Sequence, residues 1–157
     1  MHSLCRLSEV CYSPLIYIIS DLPSPDGQFL LVPIGGNSVA VVSMWTLKET
    51  NRIRASGEVG SVGLALFQSV ATIISRRQRR LLLYDLQDRH VITDLRLPGV
   101  PEQGAVSFDG VKFYAALSES GQIAAVHLTG RLTVHLIDGV GSGVSALVPA
   151  VGLSYCH

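Results

Sequence analysis

The chain has 157 residues, a length that fits one domain. Twelve basic and twelve acidic side chains give a formal net charge of zero, which excludes a strongly basic nucleic-acid binder and an acidic solvating tail. Apolar residues make up 48% and charged residues 15%, so the chain is too apolar to be disordered. Cys5, Cys11 and Cys156 lack metal-type spacing and read as small semi-buried thiols. The uncharged stretches 29–47, 59–75 and 139–157 approach membrane-spanning length. Polar turn residues such as Gly35-Gly36-Asn37-Ser38 cut them into strand-length runs, so no membrane partner is expected, and the zero net charge without interleaved aromatics speaks against nucleic acid.

In chain order, residues 10–18 read as an outer strand and 19–24 as an inner one. Pro25-Asp26-Gly27 follows as a turn. Phe29-Leu30-Leu31-Val32-Pro33 is an apolar strand. It leads into a hairpin, Ile34-Gly35-Gly36-Asn37-Ser38, whose Gly and Asn tolerate positive φ. Val39 to Met44 returns as a third strand, and 52–57 alternates as a half-exposed fourth. The pattern then recurs. Leu81-Leu82-Leu83-Tyr84-Asp85-Leu86 and Ile123-Ala124-Ala125-Val126-His127-Leu128 lie 42 and 84 residues beyond Val39 to Met44. The preceding runs, from Ala71 and from Phe113, are read at the same spacing, with Arg76 to Arg80 and Ser118 to Gln122 in the hairpin slot. The fourth strands of these units are 90–97 and 131–137, and Phe108-Asp109-Gly110 repeats the Asp-Gly turn.

Four short antiparallel strands per 42-residue unit define an all-β chain, a β-propeller segment of about three and a half blades. The expected units are 19–60, 61–102 and 103–144. A fourth starts at 145–157, and 1–18 forms the outer strand of a preceding blade. Blades pack face to face, which explains inner strands that are apolar on both sides.

The residues Pro25 to Val32, Asn37 to Val42, Leu83-Tyr84-Asp85-Leu86, and Asp109-Gly110 through Tyr114 carry a family resemblance. Together they resemble the YVTN-type repeat of bacterial and archaeal propellers, grouped with the cytochrome-d1-like and amine-dehydrogenase-like propellers. The resemblance implies a propeller and a periplasmic or secreted location. It implies no site, because the repeat encodes blades. Ser43 and His127 stand where the repeat has the aspartate seen at Asp85.

Three blades and a fraction do not close a ring of roughly 4–8 blades. The sequence is therefore expected to be a fragment, with a second copy completing the ring as the alternative. The inter-blade loops read as 57–63, 98–104 and 139–143, with Glu58, Glu102 and Asp138 as solvated carboxylates. Arg76, Arg77, Arg79 and Arg80 form the densest charge cluster, on a hairpin of the same face. They are the candidate anion- or partner-binding residues, able to hold a carboxylate or phosphate bidentately. His90 is placed in a polar turn on the opposite face, His127 as a turn cap, His135 on an outer strand, and Trp45 as an interface filler. No catalytic constellation, metal site or cofactor motif is evident, although haem is conceivable in a longer protein.

The functional reading is a non-catalytic binding or scaffold module whose partner is a protein or a small anionic ligand. Two alternatives stay open. One is part of a periplasmic cytochrome-d1-like or quinoprotein-type oxidoreductase with its ligands in missing blades. The other is a lactonase-like hydrolase with a channel metal.

Overall fold

The computed structural model describes residues 22–23, 28–66, 69–141, 143–144 and 147. The expected strand at 10–18, the Pro25-Asp26-Gly27 turn and most of the fourth unit lie outside these residues. Among the described residues, twelve strands form three four-stranded antiparallel sheets, each a simple meander. The first holds β1 (Leu22–Pro23), β2 (Phe29–Pro33), β3 (Ser38–Ser43) and β4 (Lys48–Arg54). The second holds β5 (Val59–Ala65), β6 (Val70–Ser75), β7 (Arg80–Asp85) and β8 (His90–Arg96). The third holds β9 (Pro101–Val106), β10 (Lys112–Leu117), β11 (Gln122–His127) and β12 (Thr133–Ile137). No helix among the described residues is long and apolar enough to cross a membrane.

The sheets stack as propeller blades. Side chains alternate faces along a strand, and the middle blade uses both faces for burial. Ile73, Leu82 and Tyr84 join Leu31, Val39, Val41 and Ile53 in the seam with the first blade. Ile74, Leu81 and Leu83 join Phe113, Ala115, Ala124 and Val126 in the seam with the third. All six residues of β6 are buried for this reason. The outer strands have one solvated side, and β8 is exposed or half-exposed throughout.

The 42-residue period holds for the third strands, which begin at Ser38, Arg80 and Gln122. It slips by one residue in β2. Leu31 faces Val41, whereas Thr72 faces Leu83 and Tyr114 faces Ala125. Leu31 is therefore the counterpart of Thr72, not of Ile73. The cause is the first hairpin. Gly35 and Gly36 take φ of 88° and 57°, and the Ile34 N–H donates to the Ser38 carbonyl at 3.1 Å, so the turn closes one residue early. A one-residue slip exchanges the faces of a strand, so the hairpin length decides which β2 side chains meet the second blade.

Two boundaries differ from the sequence expectation. The fourth strand of the first blade is β4 at Lys48–Arg54, not 52–57. A four-residue turn, closed by the Leu47 N–H on the Ser43 carbonyl at 2.8 Å, returns the chain at once. The inter-blade loops are shorter than expected, because Gly60, Gly63 and Gly104 lie inside β5 and β9. These glycines serve close packing. A Cβ at Gly104 would stand 2.0 Å from Cζ of Phe113, and one at Gly63 would stand 2.6 Å from Oγ1 of Thr72.

Thr72 puts a polar atom where the first blade has the side chain of Leu31. It is 1% exposed, and its hydroxyl has no hydrogen-bond partner. A buried hydroxyl without a partner carries an uncompensated desolvation cost. Thr72→Val keeps the shape and removes that cost, so it is expected to stabilise the protein by about 1 kcal/mol. Thermal denaturation of the two proteins measures this, and a lower melting temperature would contradict the packing described.

Candidate functional site: the hairpin end

The sheets place two sets of turns at opposite ends. One end gathers the hairpins at 34–37, 76–79 and 118–121 beside the inter-blade connections at 55–58 and 97–100. Backbone hydrogen bonds fix this assembly: Ala55 N–H to Asn37 O at 2.9 Å, Val59 N–H to Gly36 O at 2.8 Å, and Leu97 N–H to Arg79 O at 2.7 Å. Gln78 packs over Gly57, where a Cβ would stand 1.8 Å from Oε1.

The hairpin at 76–79 brings the four candidate arginines to this end, each beside a carboxylate. Arg76 pairs with Glu102 on β9 of the next blade. The same Glu102 accepts the Ser118 hydroxyl at 2.9 Å. Arg77 stands 3.4 Å from Glu58 in the preceding connection. Arg79 reaches Glu119 in the next hairpin at 3.5 Å. Arg80 lies 3.3 Å from the Asp94 carboxylate, and also donates to the Asp94 carbonyl at 3.2 Å. Three of these pairs thus connect the hairpin of the middle blade to elements before and after it. The arginine side chains range from 37% to 82% exposed. Pairs so open to water are individually worth little, so their partners exchange readily.

The carboxylates expected to be solvated in the connecting loops are thus held by separate partners. Asp138 takes part too, accepting from the Gln122 amide at 2.6 Å. Sequence reasoning missed Glu119, Asp94 and Arg96. The β7–β8 register sets Arg96 directly opposite Arg80, and no carboxylate among the described residues reaches it. Its signal in the sequence was the 42-residue step from Arg54, the last residue of β4, to Arg96, the last residue of β8.

Arg79 has a left-handed backbone, as do the turn residues Leu47, Leu66 and Arg89. Its φ is 55°, and the residue one repeat later, Gly121, has φ of 63°. The left-handed region disfavours a residue with a Cβ by roughly 1 kcal/mol. The guanidinium is therefore presented from a position where the next blade uses glycine.

The opposite end carries different chemistry. Asp85 closes its turn by accepting the Gln87 and Asp88 N–H groups, both at 2.8 Å. Ser43 takes the corresponding place in the first blade, accepting Thr46 N–H at 3.4 Å. His127 does not cap its turn as expected. Its ring sits edge-on to His135, with centroids 5.8 Å apart. His90 opens β8, paired in register with Asp85. Trp45, expected to fill an interface, is 82% exposed at the turn tip.

The Asp109 turn adds a titratable element at this end. Its carboxylate accepts from the Ser107 hydroxyl and from Val111 N–H at 3.1 Å. The Ser107 hydroxyl first, and the Val111 N–H second, hold the Asp109 carboxyl below its ordinary value. A depressed folded value stabilises the fold above the unfolded carboxylate pKa, and the contribution disappears as pH falls through the folded value. Wild type is therefore expected to lose stability below about pH 4, and Asp109→Asn to lose less of it over the same range. Denaturation midpoints against pH check this; parallel curves would contradict it.

No protein-family model matches the chain, and no curated protein does. Among solved structures, hydrazine synthase of Kuenenia stuttgartiensis aligns with a TM-score of 0.67 at 22% identity, over 84% of this chain and 40% of that one. The β-propeller domain of Cps50 (Swd1) from Myceliophteria thermophila aligns at 0.66 and 17%, over 89% and 41%. The periplasmic gluconolactonase of Pseudomonas aeruginosa aligns at 0.66 and 16%, over 79% and 39%. The fold is that of a β-propeller, and the chain spans about two fifths of the length of these structures. Proteins of this shape include enzymes and scaffolds alike, so the likeness defines an architecture and leaves the role to the site.

Proposed function

We propose that the chain is part of a non-catalytic binding or scaffold propeller whose hairpin end is the contact surface. One observation carries this reading: the arginines of the 76–79 hairpin and its flank are each matched to a carboxylate, two of them across the seam with the third blade. Such solvent-open pairs are exchangeable, which suits the docking of a protein or a small anion. The YVTN type of repeat fits as well. The third strands recur every 42 residues, and Asp85 caps its turn as a repeat aspartate would. Further blades, from the same polypeptide or a second copy, would complete the ring.

The test joins spectroscopy to binding. The intact protein is purified, its visible spectrum recorded, and its retained protein partners compared with those of a variant carrying Ser at Arg76, Arg77, Arg79 and Arg80. The reading expects no Soret band, and loss of partner retention in the variant. A Soret band would favour the cytochrome-d1-like oxidoreductase instead. Retention unchanged by all four substitutions would remove the hairpin end as the contact surface.

A further inference from the structure

The β7–β8 hairpin, at the end opposite the arginines, brings three metal-ligating side chains together. Asp85 ends β7 and His90 opens β8. The register sets them directly opposite each other, so both side chains leave the same face of the sheet. Asp88 joins them from the turn between the strands. One donor atom from each of Asp85, Asp88 and His90 lies within 4.8 Å of the other two. Asp85 is half-buried, and Asp88 and His90 are exposed.

The turn itself orients the first of these groups. Oδ1 of Asp85 accepts the Gln87 and Asp88 N–H groups, both at 2.8 Å, and its other oxygen stays available. Fixing one side of a carboxylate in this way is how outer hydrogen bonds aim a metal ligand. Among the described residues no cation pairs with Asp85 or Asp88, although Arg89 lies next to Asp88 in the chain. The other described carboxylates all have a side-chain partner. Five pair with arginine, Asp109 accepts from the Ser107 hydroxyl, and Asp138 accepts from the Gln122 amide. The two left over stand together, where like charges about 5 Å apart repel by roughly 1 kcal/mol in water. A divalent cation between them replaces that repulsion with attraction.

The facing imidazole decides which cation. Calcium and magnesium take oxygen donors, whereas one imidazole with two carboxylates suits zinc and its neighbours. Donors on a tetrahedral zinc stand about 3.3 Å apart, so Asp88 and His90 need only close in by side-chain rotation, which their exposure permits. Three protein ligands leave a fourth position for water.

We propose that Asp85, Asp88 and His90 form a surface site for one zinc-class divalent ion, held by the two carboxylates and one imidazole nitrogen. The site is separate from the arginine hairpin, and neither reading depends on the other.

Calorimetric titration of the intact, chelator-stripped protein with Zn²⁺, Ca²⁺ and Mg²⁺ tests the site, together with the histidine ring resonances. Zn²⁺ is expected to bind at least about a hundredfold more tightly than Ca²⁺ or Mg²⁺. The first equivalent should shift the His90 ring signals and leave those of His127 and His135 in place. His90→Ala, Asp88→Asn and Asp85→Asn should each weaken Zn²⁺ at that site by at least about tenfold. Asp85→Asn keeps an oxygen to cap the turn, and Asp88→Asn removes a like-charge neighbour. Neither should therefore lower the metal-free melting temperature, which separates lost binding from lost folding. Zn²⁺ should raise the melting temperature of wild type, and raise that of Asp88→Asn less at the same concentration.

His90 signals that stay put, or Zn²⁺ binding that all three variants leave unchanged, would overturn the proposal. So would Ca²⁺ binding as tightly as Zn²⁺ and unaffected by His90→Ala, which would mark an acidic turn that attracts any cation. None of these results touches the contact-surface reading, which depends on partner retention by the four-arginine hairpin.

Discussion

Gly104→Ala is expected to destabilise the protein by about 3 kcal/mol, near the top of the range for overpacking a core. The added methyl would stand 2.0 Å from Cζ and 2.6 Å from Cε2 of Phe113, and 2.9 Å from Cδ1 of Ile74. None of these atoms has room to retreat, because Phe113 is 2% exposed and Ile74 is fully buried. The inner strand β9 thus approaches the seam so closely that only hydrogen fits at position 104. Phe113→Ala should cost about 4 kcal/mol through cavity formation. In that background the ring is gone, so adding Ala at 104 should cost far less, a coupling of about 2 kcal/mol. Denaturant unfolding of the two single variants and the double variant measures this. Strict additivity would mean that Gly104 and Phe113 do not touch.

The second large effect concerns two neighbours in one strand. Ile73→Ala and Ile74→Ala should each cost about 3 kcal/mol, as large-to-small changes at fully buried sites do. The damage should fall on different blades. Ile73 belongs to the seam with the first blade and Ile74 to the seam with the third. Amide exchange in Ile73→Ala should therefore quicken in β2 and β3, and in Ile74→Ala in β10 and β11. If both variants loosened the same amides, β6 would not lie between two sheets.

How much of this was legible beforehand follows from the physics of each feature. The three described blades and their third strands were readable because apolar runs such as Leu81 to Leu83 must be continuous when both faces of a sheet are covered. The slip in β2 was not readable. It depends on whether Gly35 and Gly36 close a three- or a four-residue turn, and glycine permits either. The inner-strand glycines were misread as loop glycines, since Gly60 and Gly104 give the same local signal whether they bend the chain or admit a neighbour. The arginine hairpin was visible as composition, but its partners were not. Glu102 and Glu119 lie 26 and 40 residues from Arg76 and Arg79, and only blade stacking brings them together. Arg96 was overlooked because its meaning arises from the register opposite Arg80.

Consecutive side chains of the middle blade enter two separate cores. Methyl NOEs from Leu82 and Leu83 examine that directly. Leu82 should show contacts with the cluster containing Leu31, Val39 and Val41. Leu83 should show contacts with the cluster containing Phe113, Ala124 and Val126. The two sets should not overlap. Contacts from both leucines to one common set would contradict the stacked-blade arrangement.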